Sequence, residues 1–349
     1  MTPPDGEGDL PAQPPAPPPS APAQPPAPPS SRPGVGTFTI EGRAAPGLFV
    51  VGWLGTLIGG VVLFVSLQTG SGPAKLALFI GGLALLSLGL IAAAGSQGIE
   101  RRARGVGPYA GPSPLLVFIA CIPTSAVLLV LLGVPLQLAG IDVDGPPGAV
   151  VGLAVQLAVY ALLIRLLVVD TGALSWRQMG IRPASARSLF DFTFGVAWAL
   201  PVILLTGLLA NLLVLLFGVT PDSPLPPAGS TPGLVLNLIA GAILAPIGEE
   251  LFFRGFLTTA WAMSFGATRA VIGGGLVFAF VHIVNVQADS FQQGVSLALI
   301  SFLARVPIGL VLGWLFVRRG TIWTPLGLHA AFNGILILAA EVYAQNPPA

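Results

Sequence analysis

Charge is what this sequence lacks. Of its 349 residues only 8% are charged, against roughly a quarter in an ordinary soluble domain, while 54% are hydrophobic and the mean hydropathy is +0.87. So large a deficit excludes a soluble protein built around a big core and points to a polytopic membrane protein. The single cysteine, Cys121, excludes an intramolecular disulfide and a cysteine-rich metal site. One lysine, Lys75, stands against fourteen arginines. The net charge is only +1 and the basic residues are dispersed, so no nucleic-acid-binding patch is formed. The arginine bias, with abundant Ala, Gly, Pro and Val, points to a GC-rich bacterial genome and hence to a bacterial inner membrane.

Residues 1–45 form a separate regime. The Pro/Ala-rich run around Pro11–Pro33 holds no apolar pattern able to build a core, and reads as a disordered, solvated tail on the cytoplasmic side. A charged stretch followed directly by an apolar one is missing there, so no cleavable signal peptide is expected. Beyond it, apolar segments of about the 20 residues a bilayer needs follow one another near 47–67, 74–94, 114–139, 148–169, 189–218, 233–263, 270–287, 294–316 and 323–343. The expected fold is therefore all-α: a transmembrane helical bundle of about nine spans. Five spans fall in an N-terminal part, 46–232, and four in a C-terminal part, 233–349, whose helices would enclose the site. The long sixth span, which carries two carboxylates, is expected to be kinked, tilted or partly cytosolic.

The arginines orient the chain. Arg101, Arg102 and Arg104 share one loop, Arg177, Arg182 and Arg187 another; Arg269 lies in a third, Arg318 and Arg319 in a fourth. With nine spans these loops fall on the same side as Arg32 and Arg43, while the opposite loops hold Asp142, Asp144, Asp222 and Asp289 with Lys75 the lone cation. The positive-inside rule then puts the N-terminus in the cytoplasm and the C-terminus outside.

Polar chemistry is confined to a few places within this apolar chain. Glu249 and Glu250 are its only adjacent carboxylates, and His282 and His329 its only histidines. All four lie in apolar stretches, where ionisable groups are expensive and mark functional sites. Glu250 and Arg254 stack one turn apart in the favourable acid-before-base order. Helix geometry rotates Glu249 by about 100° from its neighbour, which leaves it to face a cavity as a general base on water. The bland reading of Glu250–Arg254 is a buried ion pair that fixes helix register, and of either histidine an interhelical hydrogen bond. His329 and Asn333 also share a face, and as a pair of donors could hold an oxyanion. His282 could orient the water beside Glu249. No serine or cysteine lies in these frames, which disfavours a covalent acyl intermediate.

The ordered set Glu249-Glu250-x-x-x-Arg254, Phe278-x-x-x-His282 and His329-x-x-x-Asn333 resembles the CPBP (Abi) intramembrane proteases, which include the CAAX prenyl endopeptidases. The resemblance covers about residues 233–343. It implies a helical membrane fold with a cavity open toward the cytosol, and proteolysis of a membrane-associated peptide or protein. On this chain it implies that Glu249 and His282 activate water, that His329 and Asn333 form the oxyanion hole, and that Glu250, Arg254 and Phe278 support them. Two histidines and a glutamate are also a competent zinc set, so Glu249, His282 and His329 are the metal ligands if zinc takes part. The metal-free scheme, needing no cofactor, is preferred because His329 is paired with Asn333 for donor work. The competing reading is a non-enzymatic membrane scaffold or bacteriocin-immunity-type protein using the same fold. Arg165, near a helix end, is expected to snorkel. Arg305, deeper, would either pair with a carboxylate of the protein or contact one of a substrate.

Overall fold

The computed structural model describes residues 43–105, 107–221, 225–284 and 286–346. The Pro/Ala-rich segment, up to residue 42, lies outside them. Nine helical stretches account for most of the described chain, and no strand occurs among the described residues. They are α1 (Pro46–Gln68), α2 (Pro73–Ala103), α3 (Pro114–Leu138), α4 (Pro146–Val169), α5 (Ala186–Phe217), α6 (Thr231–Phe265), α7 (Ala267–Val281), α8 (Phe291–Arg319) and α9 (Trp323–Gln345).

The starts and stops follow local chemistry. Proline occupies the first turn of α1, α2, α3, α4 and α6, where its missing N–H costs nothing. The hydroxyls of Ser185, Ser230 and Ser290 accept from the backbone N–H groups of Ser188, Gly233 and Gln293, and so cap α5, α6 and α8. Gly218 and Gly320 end α5 and α8 in the left-handed region that glycine tolerates.

Eight of the nine are long and apolar enough to cross a bilayer. The exception is α7, which has fifteen residues and is about 22 Å long, short of a hydrocarbon core of about 30 Å. The expected seventh span, 270–287, therefore begins earlier and ends at Val281. The apolar run that suggested a longer span is broken by His282, and the chain turns there before Ser290 caps α8.

Small residues set the close contacts. Gly52, Gly55 and Gly59 of α1 lie against Ala93, Gly89 and Leu86 of α2, and α1 buries little else. On α7 and α8, a Cβ added to Gly309 would fall 2.8 Å from the carbonyl oxygen of Gly275, so these two backbones touch. Large apolar side chains such as Leu200, Leu204, Leu208, Leu212 and Leu215 of α5 are exposed, as lipid-facing residues must be.

The core gathers round α6. Glu250–Thr258 is buried at every position, and Phe252 packs on Tyr160 of α4 and Phe118 of α3 with ring centroids 4.9 and 5.4 Å away. This stretch is not the α-helix that the spacing suggested. It is π-helical over nine residues, and Ile239–Leu244 upstream and Arg165–Val169 in α4 are π-helical too. The Thr258 hydroxyl donates to the Phe253 carbonyl five residues back, at 2.7 Å. Such widened turns cluster at functional sites.

At one end of the bundle, Ile322 N–H donates to the Gly180 carbonyl and the Trp323 indole to that of Arg182, both at 3.1 Å. Two of the arginine-bearing loops therefore meet, and Arg319 bridges to Asp191 beside them. At the opposite end, Glu341 accepts from the N–H groups of Ala228 and Gly229 at 2.7 and 2.9 Å.

Candidate active site

Four helices bring the polar motifs to one place. Glu250 opens the π-helical stretch of α6 and is fully buried. Its Oε1 accepts from Arg254 Nη1 at 3.1 Å and from His329 Nδ1 of α9 at 2.7 Å. Arg254 in turn donates to the Gly309 carbonyl of α8 at 3.4 Å and lies 4.2 Å from the centroid of the Phe278 ring of α7. Phe278 also touches both imidazoles, at 4.7 Å for His282 and 5.7 Å for His329. A single aromatic ring thus packs against the arginine and both histidines.

Both imidazoles are oriented from behind. His282 Nδ1 lies 2.7 Å from the Phe278 carbonyl, which can only accept, so Nδ1 carries the proton. The same logic assigns Nδ1–H of His329 to the Glu250 carboxylate. Each ring is then left with Nε2 toward Glu249. The Glu249 Oε2 atom lies 3.9 Å from His282 Nε2 and 3.7 Å from His329 Nε2. It is buried and has no hydrogen-bond partner. Those gaps exceed a direct hydrogen bond and fall in the range in which polar groups are linked through water rather than to each other.

The donor types suit zinc, and anchored Nδ1 protons are typical of zinc-ligating histidines. The spacing does not suit it: no group of three His, Cys, Asp or Glu among the described residues is placed to share an ion.

Glu249, Glu250, Arg254, Phe278, His282 and His329 therefore converge. Asn333 sits one turn beyond His329, but its amide donates to the Gly241 carbonyl in the upstream π turn, at 2.8 Å. One of its two amide hydrogens is committed to holding α9 against α6. His329 bonds Glu250 through Nδ1, a partner on another helix that local spacing did not suggest. Gly241 and Gly309 contribute only carbonyls, and no side-chain pattern could have shown them. Arg165 is largely exposed and lies 3.7 Å from Asp170 at the end of α4.

All of these motif residues fall inside residues 231–335, which match a family model described as type II CAAX prenyl endopeptidase Rce1-like. This segment carries a domain of the CPBP/CAAX-protease-like family. No curated protein and no solved structure matches the chain.

Proposed function

With a CAAX-protease-like domain across residues 231–335 as the premise, we propose that this protein is an intramembrane endopeptidase in which Glu249 activates the attacking water. The observation that carries the reading is the unpartnered, buried Oε2 of Glu249, faced by the Nε2 atoms of two imidazoles anchored at Nδ1. A water held between Glu249 Oε2 and His282 Nε2 can give one hydrogen to each acceptor. Glu249 takes a proton as the water oxygen attacks the scissile carbonyl. The developing oxyanion is met by His329, donating from Nε2 when both of its nitrogens carry protons, and by the second amide hydrogen of Asn333. Glu249 then returns its proton to the nitrogen as the C–N bond breaks, the second water hydrogen passes from the new carboxyl group to the amine by way of His282 Nε2, and a carboxylate and an ammonium leave.

Glu250, Arg254 and Phe278 hold this arrangement without touching the substrate. Their net charge cancels within the pair, so the π-helical turn can stay buried while Glu249 remains the reactive carboxylate. The peptide or protein cut is membrane-associated, because the site lies among helices whose outer faces are lipid-facing. The reading places the N-terminus in the cytoplasm of a bacterial inner membrane, with 233–349 as the catalytic part and 46–232 as its helical surround.

The test compares membranes from cells making the wild-type protein, Glu249→Gln and His282→Ala at matched protein levels. The expectation is a set of peptide termini that depends on both side chains. Termini that persist in full with Glu249→Gln overturn the peptidase reading. A phenotype kept by all three proteins favours the partner-binding scaffold.

A further inference from the structure

Arg305 stands at the midpoint of α8, fourteen residues from either end of Phe291–Arg319. A guanidinium there is costly unless it is answered by a partner or a cavity. Its Nη1 donates to the carbonyl oxygen of Ser301 at 3.0 Å and to the Ser301 hydroxyl at 2.7 Å. That hydroxyl in turn lies 3.5 Å from the His282 carbonyl. The arginine is therefore tied to the wall of the site where α7 ends. Among the described residues it forms no ion pair with a carboxylate, although it and Glu249 act on each other electrostatically and it also acts on His282. Its Nε–Nη2 edge, the part of the fork that matches a carboxylate with two parallel hydrogen bonds, is not used by the protein.

An arginine serving only to balance Glu249 would close on it and form a direct pair. Here the two act on each other electrostatically without a direct pair, and Arg305 is held instead by Ser301, whose hydroxyl reaches the His282 carbonyl at the end of α7. Resting on the peptidase reading, the geometry points to Arg305 as a specificity-determining residue that receives a carboxylate of the substrate close to the scissile bond. That carboxylate is supplied either by the free C-terminus of the substrate or by an Asp or Glu side chain.

The probe is a set of short synthetic peptides, each made with a C-terminal acid and a C-terminal amide. Amidated members are also made with Glu or Gln at each internal position. Binding is measured on full-length Glu249→Gln protein in detergent, which lacks the proposed base, and on Glu249→Gln/Arg305→Gln and Glu249→Gln/Arg305→Lys. The expected result is that a carboxylate-bearing peptide binds roughly tenfold to a hundredfold more tightly than its neutral partner, the scale of a charged hydrogen-bond pair. That ratio falls to near one with Arg305→Gln and is intermediate with Arg305→Lys. A ratio that follows the terminal acid identifies the C-terminus, and one that follows internal Glu identifies a side chain. A library without any carboxylate preference, or a preference that survives Arg305→Gln, overturns the inference. Because the ratio is read from binding, it stands or falls separately from cleavage by the wild-type protein, which tests the peptidase reading.

Discussion

His329 gives its Nδ1 proton to Glu250 at 2.7 Å, across 79 residues of chain. Glu250 is also the partner of Arg254, so one carboxylate oxygen joins the buried ion pair of α6 to the imidazole of α9. Anything that disturbs the ion pair therefore turns the imidazole as well.

The ion pair should behave as a unit. Arg254→Ala leaves a buried carboxylate poorly compensated and is expected to cost about 3–5 kcal/mol. The double variant Glu250→Ala/Arg254→Ala should cost less than the two single changes added together. Thermal unfolding of the purified proteins in detergent measures both quantities, and strict additivity contradicts the coupling.

Cleavage should survive metal removal. The groups facing Glu249 Oε2 are 3.7 and 3.9 Å away, and no three His, Cys, Asp or Glu among the described residues are placed to share an ion. Prolonged treatment with a strong chelator, followed by dialysis, is expected to leave the rate unchanged. Loss of activity restored by added zinc would overturn the metal-free mechanism.

The contact between α7 and α8 should be intolerant of bulk. A Cβ on Gly275 would fall 2.9 Å from Leu310 Cδ2 and 3.1 Å from backbone of Gly309. Gly275→Val is expected to force the helices apart at a cost of about 1–3 kcal/mol. His282 and Phe278 move with α7, so cleavage should fall by more than the loss of folded protein explains. Activity normalised to the folded fraction is the measurement.

Glu341 offers a contrasting case far from the chemistry. It satisfies two backbone N–H groups of the loop between α5 and α6. Glu341→Gln is expected to lower stability by about 1–3 kcal/mol while leaving the rate intact well below the melting temperature. An unchanged melting temperature would show that the loop finds other acceptors.

Much of this architecture is legible in the sequence because membranes impose long apolar runs and sided arginines. The loops carrying Arg182 and preceding Trp323, expected on one side, do meet. The convergence of Glu249, His282 and His329 was readable as ionisable groups in apolar frames. The bond from His329 to Glu250 was not, because it is made across the bundle, where local spacing shows nothing. Asn333 itself reaches Gly241, 92 residues distant, and glycine announces no acceptor. The fifteen-residue length of α7 was hidden by apolar residues past His282 whose backbone makes turn bonds to the third residue back instead of continuing the helix. The π turns left no compositional sign either, since the same side chains serve both helix types.

Those turns make chain length in α6 as consequential as residue identity. A π turn is a helix that has accommodated an extra residue, and removing one lets ordinary hydrogen bonding resume at that point. Deleting a single residue within Glu250–Thr258 would remove the widened turn that Thr258 closes on the Phe253 carbonyl, even with every motif letter retained. With all nine positions buried, the segment should be held as tightly in count as in spelling, so that an indel there is as damaging as the loss of a motif residue.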